Sequence, residues 1–416
     1  MTAQELQHWL MQQYGAEKFR PGLERVGGFL QDELAQLKNL NPKIVTIAGT
    51  NGKGETAFTL AQMAREQGVP FVLWTSPHLH SVCERFQTNE GEISLQQLEI
   101  LLQAGEEKRA REQVGLSYYE ALWAAFLRWG LAKKAELWIL EVGLGGRFDA
   151  VNLCDAQVVG LTSISRDHQE FLGSRYQQIL REKLGVVRPN CTLISALESV
   201  YLREQTASNI KSLSIKWQDL FQEGRVSCQT GFSERNRRLA GELWRALFQT
   251  EVECSSLTFP GRGEVMEWQG HRFTFYGSHN PDGVRKLVHF LQSSSYNQGK
   301  EFFHQVWGAF SERPVADLKA MVRMLTKLSS KSTQLNITRF KHLKAASPLG
   351  WWGYDEGVHT KYVHEWNELI QQLAGLSSQS ILVVGSYYFV GQLQDHLRHV
   401  STNQSTSSCQ SPISTR

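Results

Sequence analysis

The sequence lacks long apolar runs and paired cysteines, and these absences exclude several classes of protein. No stretch approaches the roughly 20 apolar residues that are needed to span a bilayer. Residues 1–13 are polar and lack the apolar core of a secretion signal. The 6 cysteines are scattered without a C-x-x-C pair, which is typical of reduced thiols rather than of a zinc site or a disulfide framework. We therefore expect a cytoplasmic protein that does not associate with a membrane.

A strong excess of one charge is also missing. The 416 residues contain 44 Lys and Arg against 41 Asp and Glu, which gives a formal net charge of +3. A dedicated nucleic-acid binder concentrates Lys and Arg on one face, so this balance argues against such a partner. The hydrophobic fraction of 41% is that of a globular protein. The length exceeds what one ordinary core supports and indicates two or three domains.

Apolar runs of strand length alternate with segments of helix length, which predicts a parallel α/β architecture. The predicted strands cover residues 44–48, 71–74, 137–141, 157–164, 191–196, 272–276, 305–309 and 381–384. The predicted helices cover residues 57–66, 118–129, 176–187, 282–292 and 315–328. Turn-forming residues within 254–263 indicate a domain boundary. We expect an ATP-binding and substrate domain over 1–257, a smaller Rossmann-like domain over 258–400, and a disordered tail over 401–416.

The most informative segment is the glycine-rich turn at residues 49–54, G-T-N-G-K-G, between a predicted strand and a predicted helix. Such a turn builds a phosphate site, because backbone N–H groups and a helix N-terminus face the anion and Lys53 adds a positive charge. The spacing departs from G-x-x-x-x-G-K-[ST], and Gly54 and Glu55 stand where a hydroxyl residue would hold Mg²⁺. The alternative is a plain strand-to-helix turn; the flanking elements favour the phosphate site.

Polar side chains follow two other predicted strands. Glu141 ends the apolar run at residues 137–140, and ligands of parallel sheets gather at the carboxyl ends of strands. We therefore interpret Glu141 as a candidate Mg²⁺ ligand, with capping of the following glycine loop as the alternative. Asp167 and His168 follow the next strand and should emerge at the same edge, although a lone histidine there is more often structural.

Three further positions carry a weaker signal. Lys183 lies in a helical run, where a solvated charge is the default. His279 and Asn280 join a strand to a helix and are candidates for nucleotide contact. Asn280 is equally suited to cap that helix, with Pro281 at the first helical position.

Several short segments occur in an order that carries a family resemblance. They are residues 22–26 (G-L-E-R-V), 49–54, 75–79 (T-S-P-H-L), 84–86 (E-R-F), 119–122 (Y-E-A-L), 141–149 (E-V-G-L-G-G-R-F-D), 167–173, 181–185 (R-E-K-L-G), 260–262 (P-G-R), 279–281 (H-N-P) and 385–388 (G-S-Y-Y). Through almost its whole length the chain resembles the dihydrofolate synthase/folylpolyglutamate synthase family of Mur-type ligases. The segment at 141–149 is the most specific piece.

The resemblance implies an ATP-dependent, amide-forming ligase of folate biosynthesis and one-carbon metabolism. ATP would phosphorylate the carboxylate of dihydropteroate or the γ-carboxyl of a folate, and the amine of L-glutamate would attack the acyl phosphate. Phosphoryl transfer of this kind depends on positioning and charge neutralisation more than on covalent help. The implied cofactors are ATP and Mg²⁺, with K⁺ as a further cation and a carbamylated Lys183. The implied partners are small molecules only, and we expect a monomer.

The resemblance also assigns roles to individual residues. The catalytic residues would be Lys53, Lys183 and His168. The ATP-binding residues would be Gly49, Thr50, Asn51, Gly52, Lys53, Gly54, Glu55, Thr56, Arg262, Tyr276, His279 and Asn280. The metal ligands would be Glu141, His168 and Glu55. The substrate-binding residues would be Ser76, Pro77, His78, Arg85 and Asp167.

Three departures from the family pattern fall on functional positions. Glu55 replaces a serine that contacts Mg²⁺, Tyr276 replaces an aspartate that engages the nucleotide, and S-E-R at residues 311–313 replaces D-K-D. A carboxylate about 4 Å from the γ-phosphate would be repelled by about 4 kcal/mol at an effective dielectric near 20. We hypothesise that Glu55 is an additional Mg²⁺ ligand. The alternatives are a relative that binds nucleotide or pterin with weak or no ligation, and a Mur-type ligase for a different acid.

Overall fold

The computed structural model describes residues 1–15, 20–254, 259–293, 303–328, 333–347 and 360–407. The chain divides into two compact units, Met1–Leu257 and Thr258–Arg416. Each unit is built on one sheet, with eight strands in unit 1 and six in unit 2. The predicted α/β class is therefore confirmed.

Unit 1 alternates strands and helices along the chain. Its strands are β1 (Lys43–Ala48), β2 (Phe71–Trp74), β3 (Phe86–Thr88), β4 (Gly91–Glu92), β5 (Leu137–Glu141), β6 (Val158–Leu161), β7 (Thr192–Ser195) and β8 (Lys216–Asp219). Its helices are α1 (Ala3–Tyr14), α2 (Glu24–Phe29), α3 (Gln31–Leu40), α4 (Lys53–Glu66), α5 (Leu95–Glu112), α6 (Tyr118–Lys133), α7 (Gln169–Leu172), α8 (Tyr176–Leu184), α9 (Val200–Ile210) and α10 (Phe232–Phe248).

The strand order of unit 1 is β4-β3-β2-β5-β1-β6-β7-β8. The six strands from β2 to β8 along this order are parallel, and only the edge strands β3 and β4 are antiparallel. β1 is central: Ile47 lies opposite Glu141 of β5, and Ala48 lies opposite Leu161 of β6. The segments that leave β1, β5 and β6 at their carboxyl ends therefore start side by side, which is where ligands of parallel sheets collect.

Both faces of this sheet are covered, which explains the continuous apolar runs of its strands. On β1, Ile44 and Ala48 belong to a core that also contains residues of α1, α6 and α8. Val45 and Ile47 belong to a second core, on the opposite face, with residues of α4 and α10. The helix that follows the glycine-rich turn, α4, thus packs on the same face of the sheet as α10 and against α10.

Unit 2 contains a second, mostly parallel sheet. Its strands are β9 (Arg262–Trp268), β10 (His271–Tyr276), β11 (Gln305–Ala309), β12 (Gln334–Ile337), β13 (Thr360–Tyr362) and β14 (Ser380–Gly385). Its helices in the described residues are α11 (Pro281–Gln292), α12 (Val315–Leu325), α13 (Trp366–Leu373) and α14 (Tyr387–Ser407). The order is β13-β12-β11-β14-β10-β9, and only β9 runs antiparallel to its neighbour.

The structure revises the predictions at the ends of several elements. The strand predicted over 157–164 is β6 and ends at Leu161, and the helix predicted over 176–187 is α8 and ends at Leu184 before Gly185. α14 continues to Ser407, so the backbone of residues 401–407 is helical where a disordered tail was predicted. The rest of that segment, 408–416, lies outside the described residues. No helix in the described part of the chain has the length and apolar character needed to cross a membrane.

Candidate active site

The glycine-rich turn after β1 is fastened to the segment that follows β6. Thr50 N donates to Ser163 O at 2.7 Å, and Asn51 N donates to Ser163 Oγ at 3.0 Å. In return, the hydroxyls of Thr162 and Ser163 donate to Asn51 O at 2.8 and 2.9 Å. The approach is so close that a Cβ on Gly49, which has φ +145°, would lie 1.9 Å from Thr162 Oγ1. The turn is therefore held in shape by the sheet itself.

α4 begins directly after this turn. Gly52, with φ +96°, precedes the first helical residue, Lys53, and within the described residues no side chain caps the helix. Thr56 Oγ1 turns back onto Gly52 O at 3.0 Å. Lys53 Nζ donates to Thr50 O at 3.2 Å, so its positive charge lies over the turn. Backbone N–H groups at the start of a helix together with a lysine are suited to bind an anion, and the phosphate site stays a prediction.

The side chain of Lys183, in α8, also contacts this turn. Its side-chain nitrogen donates to Gly49 O at 2.6 Å, and the residue is only 4% exposed. Burial first, and then the nearby positive charge of Lys53, lower the pKa of Lys183, whereas Asp167 and Asp149 act in the opposite direction; the resulting pKa is about 7. The default interpretation of Lys183 as a solvated charge is therefore wrong.

Glu141 ends β5 beside the turn, as its position in the sequence predicts. The side chain is buried, and its Oε2 accepts a hydrogen bond from Ser76 N at 3.1 Å. The glycine loop that follows Glu141 is held by Asp149, whose carboxylate accepts from Leu144 N at 2.9 Å and from Val151 N at 3.1 Å. Burial raises the pKa of Asp149, and these hydrogen bonds oppose that effect.

Asp167 and His168 leave β6 together but have different surroundings. Asp167 is buried and interacts electrostatically with Lys183. His168 has φ +50° and a side chain that is 48% exposed, with Nδ1 at 3.9 Å from Glu170. In the described residues no group of three or more His, Cys, Asp or Glu side chains is arranged to hold a metal ion by itself. The predicted metal ligands Glu141, His168 and Glu55 do not form such a group, and their role stays a prediction.

Glu55 does not lie open to solvent at the start of α4. The residue is 9% exposed, and its Oε2 accepts a hydrogen bond from Asn236 Nδ2 of α10 at 2.6 Å. Sequence reasoning missed Asn236, because it lies 181 residues from Glu55 in a helix with no recognisable local signature.

The segment after β2 carries four of the five predicted substrate-binding residues. Ser76 and Pro77 are joined by a cis peptide bond. Arg85 is fully buried and donates from Nε to Nδ1 of His78 at 3.0 Å. The carboxylate of Glu84 shapes the segment between them, since it accepts hydrogen bonds from the backbone nitrogens of Leu79, His80 and Ser81 at 2.6–2.7 Å. The four predicted substrate-binding residues are thus held in one ordered segment, whose start contacts Glu141.

In unit 2 two of the four predicted nucleotide-binding residues gather around a tyrosine. Arg262 Nε donates to Tyr387 OH at 3.0 Å, and the rings of His279 and Tyr387 lie 5.7 Å apart. Asn280 is buried and caps α11, with its side chain accepting from Gly283 N and Pro281 in the first turn. The capping interpretation of Asn280 is therefore confirmed. Tyr276 ends β10, and its hydroxyl lies next to Gly263.

Comparison with known proteins adds to this geometry. No model of a protein family matches the chain. In an alignment of 443 positions that covers 95% of this chain and 99% of the relative, the chain is 24% identical to the dihydrofolate synthase/folylpolyglutamate synthase of Bacillus subtilis.

Solved structures show the same fold. One is E. coli FolC in complex with DHPP and ADP, with a TM-score of 0.80, 22% identity, and coverage of 96% of this chain and 98% of that one. Another is a bifunctional folylpolyglutamate synthase/dihydrofolate synthase with Mn, AMPPNP and L-glutamate bound, with a TM-score of 0.78, 23% identity, and coverage of 94% and 98%. The chain is thus similar in sequence and in fold, over nearly its whole length, to the dihydrofolate synthase/folylpolyglutamate synthases.

Proposed function

We propose that this protein is an ATP-dependent ligase that joins L-glutamate to dihydropteroate, to the γ-carboxyl of a folate, or to both. The observation that carries the proposal is the buried hydrogen bond from Lys183 to Gly49, in a chain that matches a dihydrofolate synthase/folylpolyglutamate synthase over nearly its whole length. A lysine that served only as a solvated charge would not be buried against a phosphate-binding turn, whereas burial there suits a lysine with a reactive or modified amine.

The first step would transfer the γ-phosphoryl group of ATP to the carboxylate of the acceptor. A carboxylate oxygen bonds to phosphorus, the bond to the β,γ-bridging oxygen breaks, and ADP leaves. The N–H groups at the start of α4 and the ammonium of Lys53 are suited to bind the phosphates, because both present positive charge at one turn. Preorganised charge of this kind supplies much of the stabilisation in phosphoryl transfer.

The second step would form the amide. The amine of glutamate attacks the acyl carbon, the carbon–oxygen bond to the phosphate breaks, inorganic phosphate leaves, and the nitrogen loses a proton. Ser76, Pro77, His78 and Arg85 form the ordered segment that we assign to the acceptor substrate, and we retain Asp167 in that set. Arg262, Tyr276 and His279 of unit 2 are retained as nucleotide-binding residues on the family resemblance alone.

The donor set fits a magnesium ion that arrives with the nucleotide. Mg²⁺ is usually held by one or two carboxylates together with substrate phosphates and water rather than by a cage of protein ligands. Glu141 offers a buried carboxylate at the carboxyl end of β5, beside the turn. His168 is the second residue that we assign to it. The ion would supply charge neutralisation for the transferring phosphoryl group.

Lys183 is suited to carry a carbamate. Only a neutral amine adds to CO₂, forming an N–C bond and releasing a proton, and a pKa of about 7 leaves a large neutral fraction at neutral pH. The product is an anion in the place of a cation, beside the turn that Lys53 covers. K⁺ stays a candidate cofactor from the resemblance.

The test is phosphate release from Mg-ATP and L-glutamate by the purified protein, measured with dihydropteroate, with tetrahydrofolate, and with neither. We expect release that requires one of the two acceptors, and its loss in Lys53→Met but not in the exposed control Lys38→Met of α3. If neither acceptor supports release while ATP still binds, the protein is a nucleotide-binding relative rather than a folate ligase. Release with another acid alone would assign a different Mur-type reaction.

A further inference from the structure

The carboxylate of Glu55 is drawn away from solvent by a side chain of a different helix. Asn236 of α10 is 3% exposed and donates from Nδ2 to Oε2 of Glu55 over 2.6 Å. Because both side chains are buried, neither of them freely replaces this hydrogen bond with one to water. A hydrogen bond to an ionised acceptor in such surroundings is among the stronger ones in proteins.

The same amide also contacts the turn itself. A Cβ on Gly52 would lie 2.6 Å from Asn236 Oδ1 and 3.0 Å from its Nδ2 and Cγ. Asn236 therefore packs flat against the residue that precedes Lys53 while it binds the residue two positions after Lys53. Its own position is fixed, because Leu239 and Leu243 of α10 share the core with Leu60 of α4.

An acid in the first turn of α4 has two opposite effects. It is favoured by the positive end of the helix, and it repels a phosphate that binds at the same end. The direction of the carboxylate determines whether the attraction to the helix end or the repulsion of the phosphate prevails. Since Asn236 belongs to α10, the Glu55 oxygen that it binds lies on the side of the turn that faces α10.

We propose that Asn236 is a positioning residue that holds the Glu55 carboxylate toward α10, so that a turn carrying an acid in place of serine still accepts a triphosphate. This inference rests on the proposed function, since it assumes that the turn binds ATP. It replaces the hypothesis that Glu55 is a magnesium ligand: the carboxylate is tolerated because it is restrained. Without the amide of Asn236, Glu55 occupies the anion site and competes with the γ-phosphate.

The experiment is a double-mutant cycle on nucleotide affinity. The wild type, Asn236→Ala, Glu55→Gln and the double variant are titrated calorimetrically with ADP and with a non-hydrolysable ATP analogue, each with Mg²⁺ and with EDTA. Glu55→Gln is chosen because its amide oxygen still accepts from Asn236 while the charge is gone. The controls are Glu66→Gln, at the exposed far end of α4, and Asn209→Ala on α9.

We expect Asn236→Ala to weaken binding of the ATP analogue roughly 5- to 20-fold, and to weaken ADP binding less, because ADP lacks the γ-phosphate. In the Glu55→Gln background the same substitution should change affinity less than about twofold. An equal loss in both backgrounds would show that Asn236 acts on the nucleotide by itself and would overturn the proposal. So would an unchanged affinity of Asn236→Ala. A loss of Mg²⁺-dependent affinity in Glu55→Gln alone would restore the metal-ligand hypothesis.

Two further measurements keep the cycle decisive. If Asn236→Ala does not fold, Asn236→Asp keeps the shape of the side chain and removes the donor. The Asn236→Asp variant should lose more affinity for the ATP analogue than Asn236→Ala. Adding Glu55→Gln should suppress this loss, because the new glutamine amide donates to the new aspartate carboxylate. Urea unfolding of the four proteins reports the coupling of the pair without any nucleotide. If the wild type binds neither nucleotide, the proposed function fails, and coupling in unfolding then shows a bond between the helices with no role in affinity.

Discussion

The side-chain nitrogen of Lys183 lies 2.6 Å from the carbonyl oxygen of Gly49, so α8 and the glycine-rich turn are joined by one buried hydrogen bond. The two residues are 134 positions apart in the chain. The bond places the side-chain nitrogen of Lys183 against the turn, where burial and the charge of Lys53 both disfavour a second ammonium group. Whatever Lys183 does in the reaction, its protonation is coupled to the stability of the turn.

Replacement of Lys183 by methionine should change the pH dependence of stability. The pKa of Lys183 is lowered in the folded state to about 7, so between that value and the ordinary pKa of lysine the unfolded chain binds more protons than the folded one. The stability of the wild type therefore rises with pH in this window, and the cost of burying the ammonium is greatest below it. We expect the stability of the wild type relative to Lys183→Met to increase by about 2 kcal/mol from pH 7 to pH 9, measured by urea unfolding in CO₂-free buffer. Parallel curves for the two proteins would contradict the shift.

Bicarbonate should activate the wild type if Lys183 carries a carbamate. Protein prepared without CO₂ should show slow glutamate-dependent phosphate release that increases when bicarbonate is added. Lys183→Arg keeps a positive charge but has no amine of lowered pKa, so it should stay slow, whereas Lys38→Arg should respond like the wild type. Native mass spectrometry should detect the added mass of one CO₂ on the wild type only. An equal response of the Lys183→Arg variant would rule out this residue as the site.

Alanine at Gly49 should destabilise unit 1 and abolish nucleotide binding. The new Cβ would lie 1.9 Å from Thr162 Oγ1, in a backbone conformation with φ +145° that side chains disfavour. We expect a loss of at least about 2 kcal/mol in urea unfolding. Gly28→Ala is the matched control, because its Cβ meets nothing within 4 Å in α2 and should be neutral or slightly stabilising. If the two substitutions had similar effects, the close approach of the turn to the end of β6 would be in doubt.

Two substitutions of Asn280 distinguish its role as a helix cap from a role in binding the nucleotide. Asn280→Ala removes the acceptor for Gly283 N and should cost about 1 kcal/mol of stability in unit 2. Asn280→Asp retains an acceptor and adds a favourable charge at the start of α11, so its stability should match the wild type. Nucleotide affinity is then measured on the aspartate variant. A pure cap predicts unchanged affinity; a stable protein with weakened affinity would show that the amide also contacts the nucleotide.

Much of the architecture was predictable because the central strands are buried on both faces. Apolar residues make up most of β1, β2, β5 and β14, and such runs are typical of strands that are buried on both faces rather than exposed at the surface. The edge strands were not predictable. β3 and β4 have three and two residues, too few for a period to be visible, and β8 is a polar strand at the other edge of the sheet.

The site was predictable where it follows from the ends of single strands and not where it depends on contacts between distant segments. The turn at 49–54 and Glu141 are local features of that kind. The burial of Lys183 and the pairing of Glu55 with Asn236 depend on which elements come together in space. A helical pattern shows that a side chain lies on one face of a helix, but not which segment covers that face.

The bonds between the turn and the end of β6 are made by the chain itself. Four hydrogen bonds hold Thr50 and Asn51 against Thr162 and Ser163. A loop that is ordered beforehand loses little conformational entropy when its ligand arrives, and a protein that does not have to rearrange also binds quickly. Association at this turn should therefore be limited by diffusion and charge rather than by a slow ordering step.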